Sequence, residues 1–168
     1  MSEEGLGLPM LQGGGPAGGE PLLDRHLFEV RVYYEDTDAG GVVYHARYLA
    51  FAERARTEAL RDAGVAHAEL GREHGLAFMV RRVALECLAP ARLDDLLVVD
   101  TRVVSASAAQ FGLRQVVRRG ASVVAGLDAG MVCVRQSDGR PARIPPRWRV
   151  VLAPGGRLAG RGDSPAGS

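Results

Sequence analysis

Cysteine is scarce in this sequence. Only Cys87 and Cys133 occur among 168 residues, and each lies within an apolar run that reads as a strand. Two cysteines at that spacing form neither a disulfide framework nor a metal site. We therefore expect two buried free thiols in a reducing compartment, and no metal or other cofactor.

The sequence also lacks an excess of charge and a long apolar segment. Its 21 basic and 20 acidic side chains leave a formal net charge of +1, which argues against a general nucleic-acid binder. No apolar run approaches the roughly 20 residues of a membrane span. The first ten residues are acidic where a secretory signal is basic. We expect a cytoplasmic protein without a transmembrane segment.

Glycine and proline are concentrated at the two ends of the chain. Residues 1–24 and 153–168 contain too few large apolar side chains to offset the entropy of ordering them. The composition predicts a disordered N-terminal extension over 1–24, a folded domain over 25–152 and a disordered tail over 153–168. A domain of that size would gain stability from dimerisation.

Hydrophobic periodicity predicts the secondary structure between these ends. Alternation with period two predicts a strand over 28–34, and helical spacing predicts a helix over 48–63 with a short second helix over about 66–74. Further strands are predicted over 77–89, 95–105, 109–119 and 121–135. This order predicts an α+β domain in which one long helix packs on an antiparallel sheet, an arrangement that includes the hotdog fold.

Two segments carry a family resemblance. Residues 33–58 read YYEDTDAGGVVYHARYLAFAERARTE, and residues 89–95 read APARLDD. Both are similar to the 4-hydroxybenzoyl-CoA thioesterase family, and within it to the Tol-Pal-associated acyl-CoA thioesterases of the YbgC type. The resemblance extends over about 28–150. It implies a hotdog fold with one long central helix wrapped by a five-stranded antiparallel sheet, a homodimer or a dimer of dimers (a homotetramer), and hydrolysis of acyl-CoA, with acyl carrier protein as an alternative acyl donor.

The sequence departs from the family pattern in two places. Arg47 stands where similar sequences often have a small polar residue, and residues 86–88 replace a stretch that often contains aromatics. Both changes would reshape the acyl pocket. The sequence therefore leaves the acyl group open.

Asp38 is the candidate catalytic carboxylate. Thioester hydrolysis needs a nucleophile or an activated water, together with stabilisation of the developing oxyanion. Because a thiolate leaves readily, one carboxylate can suffice. The resemblance carries the family's catalytic aspartate onto Asp38, either as direct nucleophile or as general base. Taken alone, an aspartate at this position would more often cap a turn. We assign the neighbouring Asp36 mainly to the structure of the loop.

The resemblance also implies the remaining site residues. It aligns the family's oxyanion donor with the backbone amide of His45, since helix N-termini offer unpaired N–H groups. The His45 side chain is a further candidate for contacting the thioester, and Tyr34 for shaping the catalytic site. The predicted substrate-binding residues, including two arginines for the coenzyme A phosphates, are Gly40, Gly41, Val42, Tyr44, Tyr48, Arg81 and Arg82.

Two other functions remain open at this point. A hotdog dehydratase acting on hydroxyacyl thioesters usually relies on a His and Glu pair that we do not find. A non-catalytic acyl-thioester binder or an envelope-associated interaction protein would not need Asp38. The intact segment around Asp38 favours catalysis.

Overall fold

The computed structural model describes residues 25–156. The predicted N-terminal extension over 1–24 lies outside the described residues, as does the predicted tail from residue 157 onward. Within the described part, no helix combines the length and hydrophobicity needed to cross a membrane.

In the part of the chain that the structure describes, five strands form one antiparallel sheet. Their bounds are β1 Arg25–Arg31, β2 Leu76–Cys87, β3 Leu96–Ala106, β4 Gln110–Arg119 and β5 Ser122–Arg135. The order across the sheet is β1-β3-β4-β5-β2, so β3, β4 and β5 form a central meander. The edges of this sheet are β1 and β2.

Between residues 25 and 156, three α-helices accompany the sheet: α1 His45–Asp62, α2 His67–His74 and α3 Pro146–Val151. The long helix α1 follows β1 and packs mainly against β1 and β3. Its buried face includes Tyr48, Ala52, Ala55 and Ala59. Small side chains on this face allow the helix axis to approach the sheet closely.

The inner face of the sheet alternates as predicted. Thr101, Val103, Phe111, Leu113 and Gln115 are buried there, whereas the intervening residues are more exposed. This period-two burial is the pattern of a sheet with one face on the core. The predicted α+β architecture, with one helix against a five-stranded antiparallel sheet, is confirmed.

Several predicted boundaries were wrong. The first strand ends at Arg31, although the Val32 amide still donates to the carbonyl of Asp95 at 3.0 Å and so extends the pairing with the β3 side by one residue. A short 3-10 turn over Tyr34–Asp36 replaces the predicted end of that strand. Helix α1 begins at His45, three residues before the predicted start, with Tyr44 as its N-cap.

Helix α3 was not predicted. It begins with Pro146, whose missing N–H costs nothing in the first turn of a helix. Trp148 is buried, and its indole Nε1 donates to the carbonyl of Val65 at 2.9 Å. This contact fixes α3 against the chain between α1 and α2.

The cysteine prediction was correct for one thiol only. Cys133 is buried within β5, but Cys87 is exposed. Cys87 is the last residue of β2, which lies at an edge and has a neighbouring strand on one side only among the described residues. An apolar run therefore indicated a strand correctly without indicating that the strand would be covered.

Candidate active site

Asp38 lies in a small hairpin immediately before α1. Its amide donates to the carbonyl of Val42 at 2.9 Å, and its own carbonyl accepts from the Gly41 amide at 3.0 Å. The amide of Tyr44 donates to the carbonyl of Asp36 at 2.9 Å, which closes the hairpin at its base. These main-chain bonds place Asp38 at the tip of a closed loop that leads directly into the helix.

The two glycines of this hairpin serve different purposes. Gly41 has φ +75°, a left-handed conformation that a side chain disfavours. Gly40 donates its amide to Asp38 Oδ1 at 2.8 Å, and a Cβ on Gly40 would lie only 3.1 Å from that oxygen. Gly41 therefore permits the turn, and Gly40 leaves room for the carboxylate.

The Asp38 side chain is exposed and held by this contact. An aspartate that accepts from the amide two residues later forms an Asx turn, which is the structural role considered above. Only Oδ1 is engaged, because Oδ2 has no hydrogen-bond partner among residues 25–156. The structural role therefore orients the carboxylate and leaves one oxygen available for chemistry.

The first turn of α1 presents amide donors next to the hairpin. Tyr44 caps the helix without a side-chain hydrogen bond, and the Arg47 amide donates back to the Tyr44 carbonyl at 2.8 Å. The amides of His45 and Ala46 have no partner within the described chain. Unpaired N–H groups and the helix dipole together favour negative charge at this point.

The aromatic candidates around the hairpin are exposed. The rings of Tyr44 and His45 lie 4.5 Å apart between centroids at the start of α1. Tyr34 is 81% exposed, and its carbonyl accepts from the amide and hydroxyl of Thr37. These side chains are open to solvent beside Asp38.

The segment over 89–95 supports the hairpin from the side. The Val43 amide donates to the Ala91 carbonyl at 2.8 Å, and Val42 forms a β-bridge with Arg92. The sequence showed a family resemblance in this segment but gave it no role. Its role is structural, because it forms a second strand-like partner for the hairpin.

Asp95 fixes that supporting segment. One carboxylate oxygen of Asp95 accepts from the Arg92 amide at 2.8 Å and from Arg119 Nη1 at 2.9 Å. These two hydrogen bonds hold the pKa of Asp95 below its ordinary value. Arg119 also donates to the carbonyl of Pro90, so β4 is tied to the support of the hairpin.

Of the predicted substrate-binding residues, Tyr48 is buried in the core beside Val43 of the hairpin and Ala91 of its support, whereas Arg81 and Arg82 lie elsewhere. Tyr48 is 2% exposed and packs edge-to-face on Phe51, and burial raises the pKa of its hydroxyl. Arg81 and Arg82 lie on β2 and line an open groove of about 760 Å³ on the sheet surface. No residue of the Asp38 hairpin lines that groove.

A second cavity, of about 110 Å³, lies between α1 and the inner face of the sheet. Its apolar walls include Leu60, Phe78, Val80, Phe111, Leu113 and Met131. On its polar side Arg56 donates to Gln115 Oε1 at 2.9 Å, and burial lowers the pKa of the Arg56 guanidinium. Gln115 in turn donates to Thr101 Oγ1 at 2.9 Å. The cavity is an apolar space with one hydrogen-bonding wall.

Comparison with known proteins assigns this arrangement to a class. A family model described as the thioesterase-like superfamily matches residues 32–152. The chain belongs to that superfamily, and the hotdog thioesterase fold predicted from the sequence is confirmed.

Individual relatives narrow the class. The chain is 45% identical to "Acyl-CoA thioesterase YbgC" of Haemophilus influenzae over 78% of this chain and 97% of the relative. It is 44% identical to "Acyl-CoA thioester hydrolase YbgC" of Escherichia coli O6:H1 over 69% and 87%. A solved probable thioesterase from Bartonella henselae superposes with a TM-score of 0.68 at 38% identity, over 72% of this chain and 99% of that one. The predicted resemblance to YbgC-type thioesterases is confirmed.

Proposed function

We propose that this protein hydrolyses an acyl-CoA thioester to a free acid and coenzyme A. The observation that carries the proposal is the carboxylate of Asp38, held in an exposed turn directly before the unpaired amides of α1. The names of the relatives, acyl-CoA thioesterase and acyl-CoA thioester hydrolase, support the same reaction.

Asp38 acts on the thioester carbonyl in one of two ways. As a general base it takes a proton from water while the water oxygen bonds to the carbonyl carbon. The tetrahedral oxyanion then collapses, the C–S bond breaks, and the coenzyme A thiolate takes the proton back. As a nucleophile it forms a mixed anhydride and releases the thiolate before water cleaves the anhydride. In both routes the amide of His45 donates to the oxyanion.

We propose that the cavity between α1 and the sheet receives the acyl group. The helix residues lining it, over 53–60, follow His45 by eight to fifteen positions. At about 1.5 Å per residue they lie about 12–22 Å along α1, too far for a short acyl group attached beside Asp38 of the same chain. A short acyl group would therefore enter the cavity of one subunit from the hairpin of another.

The edge strand β2 supports such an assembly. It is 12 residues long, and Met79, Val80 and Val83 on it are exposed. An exposed strand of this kind readily pairs with a second copy of itself. We propose a homodimer through β2, or a dimer of dimers, and light scattering that shows a stable monomer would contradict it.

We assign the remaining predicted residues on the same basis. Among residues 25–156, Arg82 has no acidic partner, and the one side-chain hydrogen bond of Arg81 goes to Gln110 at 3.3 Å. Both are therefore free to meet the phosphates of coenzyme A in the groove on the sheet. Tyr34 and Tyr44 would border the thioester, whereas the buried Tyr48 would act by supporting α1. We also propose acyl carrier protein as an alternative acyl donor and the cytoplasm as the location of the protein.

Thiol release from acetyl-, butyryl-, palmitoyl- and benzoyl-CoA tests the proposal. Asp38→Asn preserves size and the turn, so the variant should fold and lose about 10²–10⁴-fold in kcat. Asp94→Asn is a matched control, because it removes an exposed charge outside the hairpin. Full activity of folded Asp38→Asn would overturn the site. Binding of acyl-CoA by the wild type without thiol release would instead indicate the non-catalytic binder.

A further inference from the structure

The carboxylate of Asp36 is buried at the base of the hairpin that carries Asp38. Asp36 is only 2% exposed. Its Oδ2 accepts from the Tyr33 amide at 2.8 Å. Its Oδ1 accepts from Arg47, with Nε at 2.7 Å and Nη2 at 2.6 Å. A buried carboxylate needs partners of this kind, because desolvation otherwise disfavours its charge.

Arg47 reaches Asp36 from the first turn of α1. It is the third residue of the helix, and the side chain is 28% exposed. A weaker contact joins Nη2 to the exposed Glu35 at 3.6 Å. The guanidinium therefore ties the start of the hairpin to the helix that follows it, beside the main-chain bond from Tyr44 to Asp36.

The two proposed catalytic groups, the Asp38 carboxylate and the His45 amide, lie between the residues that this ion pair joins. Asp38 follows Asp36 by two residues, and the His45 amide lies two residues before Arg47. Their relative position depends on how firmly residues 36 and 47 are held together. Charge-assisted hydrogen bonds are stronger and shorter than neutral ones, and they define direction as well as distance.

We propose that Arg47 is a positioning residue: its ion pair with buried Asp36 sets the Asp38 carboxylate against the amide of His45. The proposal rests on the proposed function, since it assigns Arg47 a role in that reaction. Small misplacements of a catalytic group are costly, and an error of about 1 Å can lower a rate by about 10²-fold. The effect should therefore fall on kcat, with KM nearly unchanged.

Arg47→Gln tests this, with Arg54→Gln as the matched control. Arg54 is an exposed arginine of the same helix, and its side chain forms no ion pair or hydrogen bond within the described chain. We expect Arg47→Gln to lose up to about 10²-fold in kcat on the acyl-CoA series, and Arg54→Gln to match the wild type. Arg47→Lys, which keeps the charge but not the paired donors, should recover part of the loss. Equal kcat in the wild type and folded Arg47→Gln would overturn the proposal.

A double variant separates positioning from general damage. If Arg47 acts through Asp38, adding Arg47→Gln to Asp38→Asn should cause no further loss of kcat. Multiplicative losses would overturn the proposal. Should Arg47→Gln fail to fold, the same comparison uses Arg47→Lys.

Amide exchange gives a readout that does not require activity. The amides of Asp38, Gly41 and Val43 are hydrogen-bonded in the hairpin and its support. They should exchange faster in Arg47→Gln than in Arg54→Gln. Unchanged exchange would overturn the proposed role of the Arg47–Asp36 ion pair in holding the hairpin. If the wild type were inactive on every acyl-CoA while Arg47→Gln still accelerated exchange, the result would count against the proposed function. It would not count against the role of the ion pair in holding the hairpin.

Discussion

The two ends of α1 have different surroundings. Before its first turn lies an exposed hairpin whose conformation depends on hydrogen bonds, two glycines and one buried ion pair. Its later turns lie over an apolar cavity and the inner face of the sheet. Polar groups are exposed just before the helix begins, although its face is already buried at Tyr48, whereas its later turns line the cavity.

On the function proposed above, this difference explains how one helix can serve both catalysis and stability. A carboxylate that must react cannot be fully buried, because desolvation would neutralise it. Apolar side chains that stabilise the domain must be buried. The exposed carboxylate and the buried apolar side chains lie at different ends of the helix. Substitutions at one end should therefore change activity, and substitutions at the other end should change stability.

The largest expected effect is on the core side. Phe111 is 4% exposed and packs edge-to-face on Phe78 at 5.0 Å. Phe111→Ala should lower the free energy of unfolding by about 3–5 kcal/mol. Asp38→Asn, on the hairpin side, should change it by less than about 0.5 kcal/mol. Urea unfolding of both variants checks this, and comparable losses would show that the two ends are not independent.

The glycine pair sharpens the comparison within the hairpin. Gly41→Ala places a side chain in open space but in a left-handed conformation, which should cost about 1–2 kcal/mol of stability. Gly40→Ala brings Cβ to 3.1 Å from Asp38 Oδ1, so it should displace the carboxylate with little loss of stability. We expect kcat to fall about tenfold in Gly40→Ala.

Thermal unfolding and thiol release, measured on both glycine variants, distinguish the two effects. Gly41→Asn serves as the control for backbone conformation, since Asn tolerates the left-handed region better than Ala. If Gly40→Ala retained full activity, the close approach to Asp38 would have no catalytic consequence.

The smallest effect concerns the support at Asp95. Its hydrogen bonds lower its pKa in the folded protein, so the folded state binds fewer protons than the unfolded state as the pH falls. The resulting stability is present above the unfolded pKa of about 3.9 and is lost as the pH falls through the lower folded value. Because the pair with Arg119 is partly exposed, Asp95→Asn should cost up to about 1 kcal/mol at neutral pH. Unfolding across the acid range checks this, since the wild type and variant should converge there.

The sequence predicted the architecture well because burial periodicity is local. Alternation through Phe111, Leu113 and Gln115 identified a strand and its inner face without any coordinates. It failed at Cys87, where an apolar pattern could not reveal that β2 lies at an edge. It also missed α3, because six residues are too few for a helical period.

The candidate site likewise contains residues that the sequence identified and contacts that only the structure shows. The sequence pointed to Asp38, to the helix start near His45 and to the glycine pair, because these residues are neighbours along the chain. It could not show that Arg47 reaches Asp36, because that contact forms only when the hairpin folds back on the helix. Nor could it show that Ala91 supports Val43, because these residues are far apart along the chain.

By itself, then, the sequence determined the order of the five strands and of α1 and α2, most of their buried faces and the segment that carries the candidate carboxylate. All of these follow from spacing and residue type along the chain. Only the tertiary structure decided which residues hold that carboxylate in place, which strand stays uncovered and where the cavity lies. Those features depend on distances between segments, and the folding of the whole sheet around α1 sets such distances.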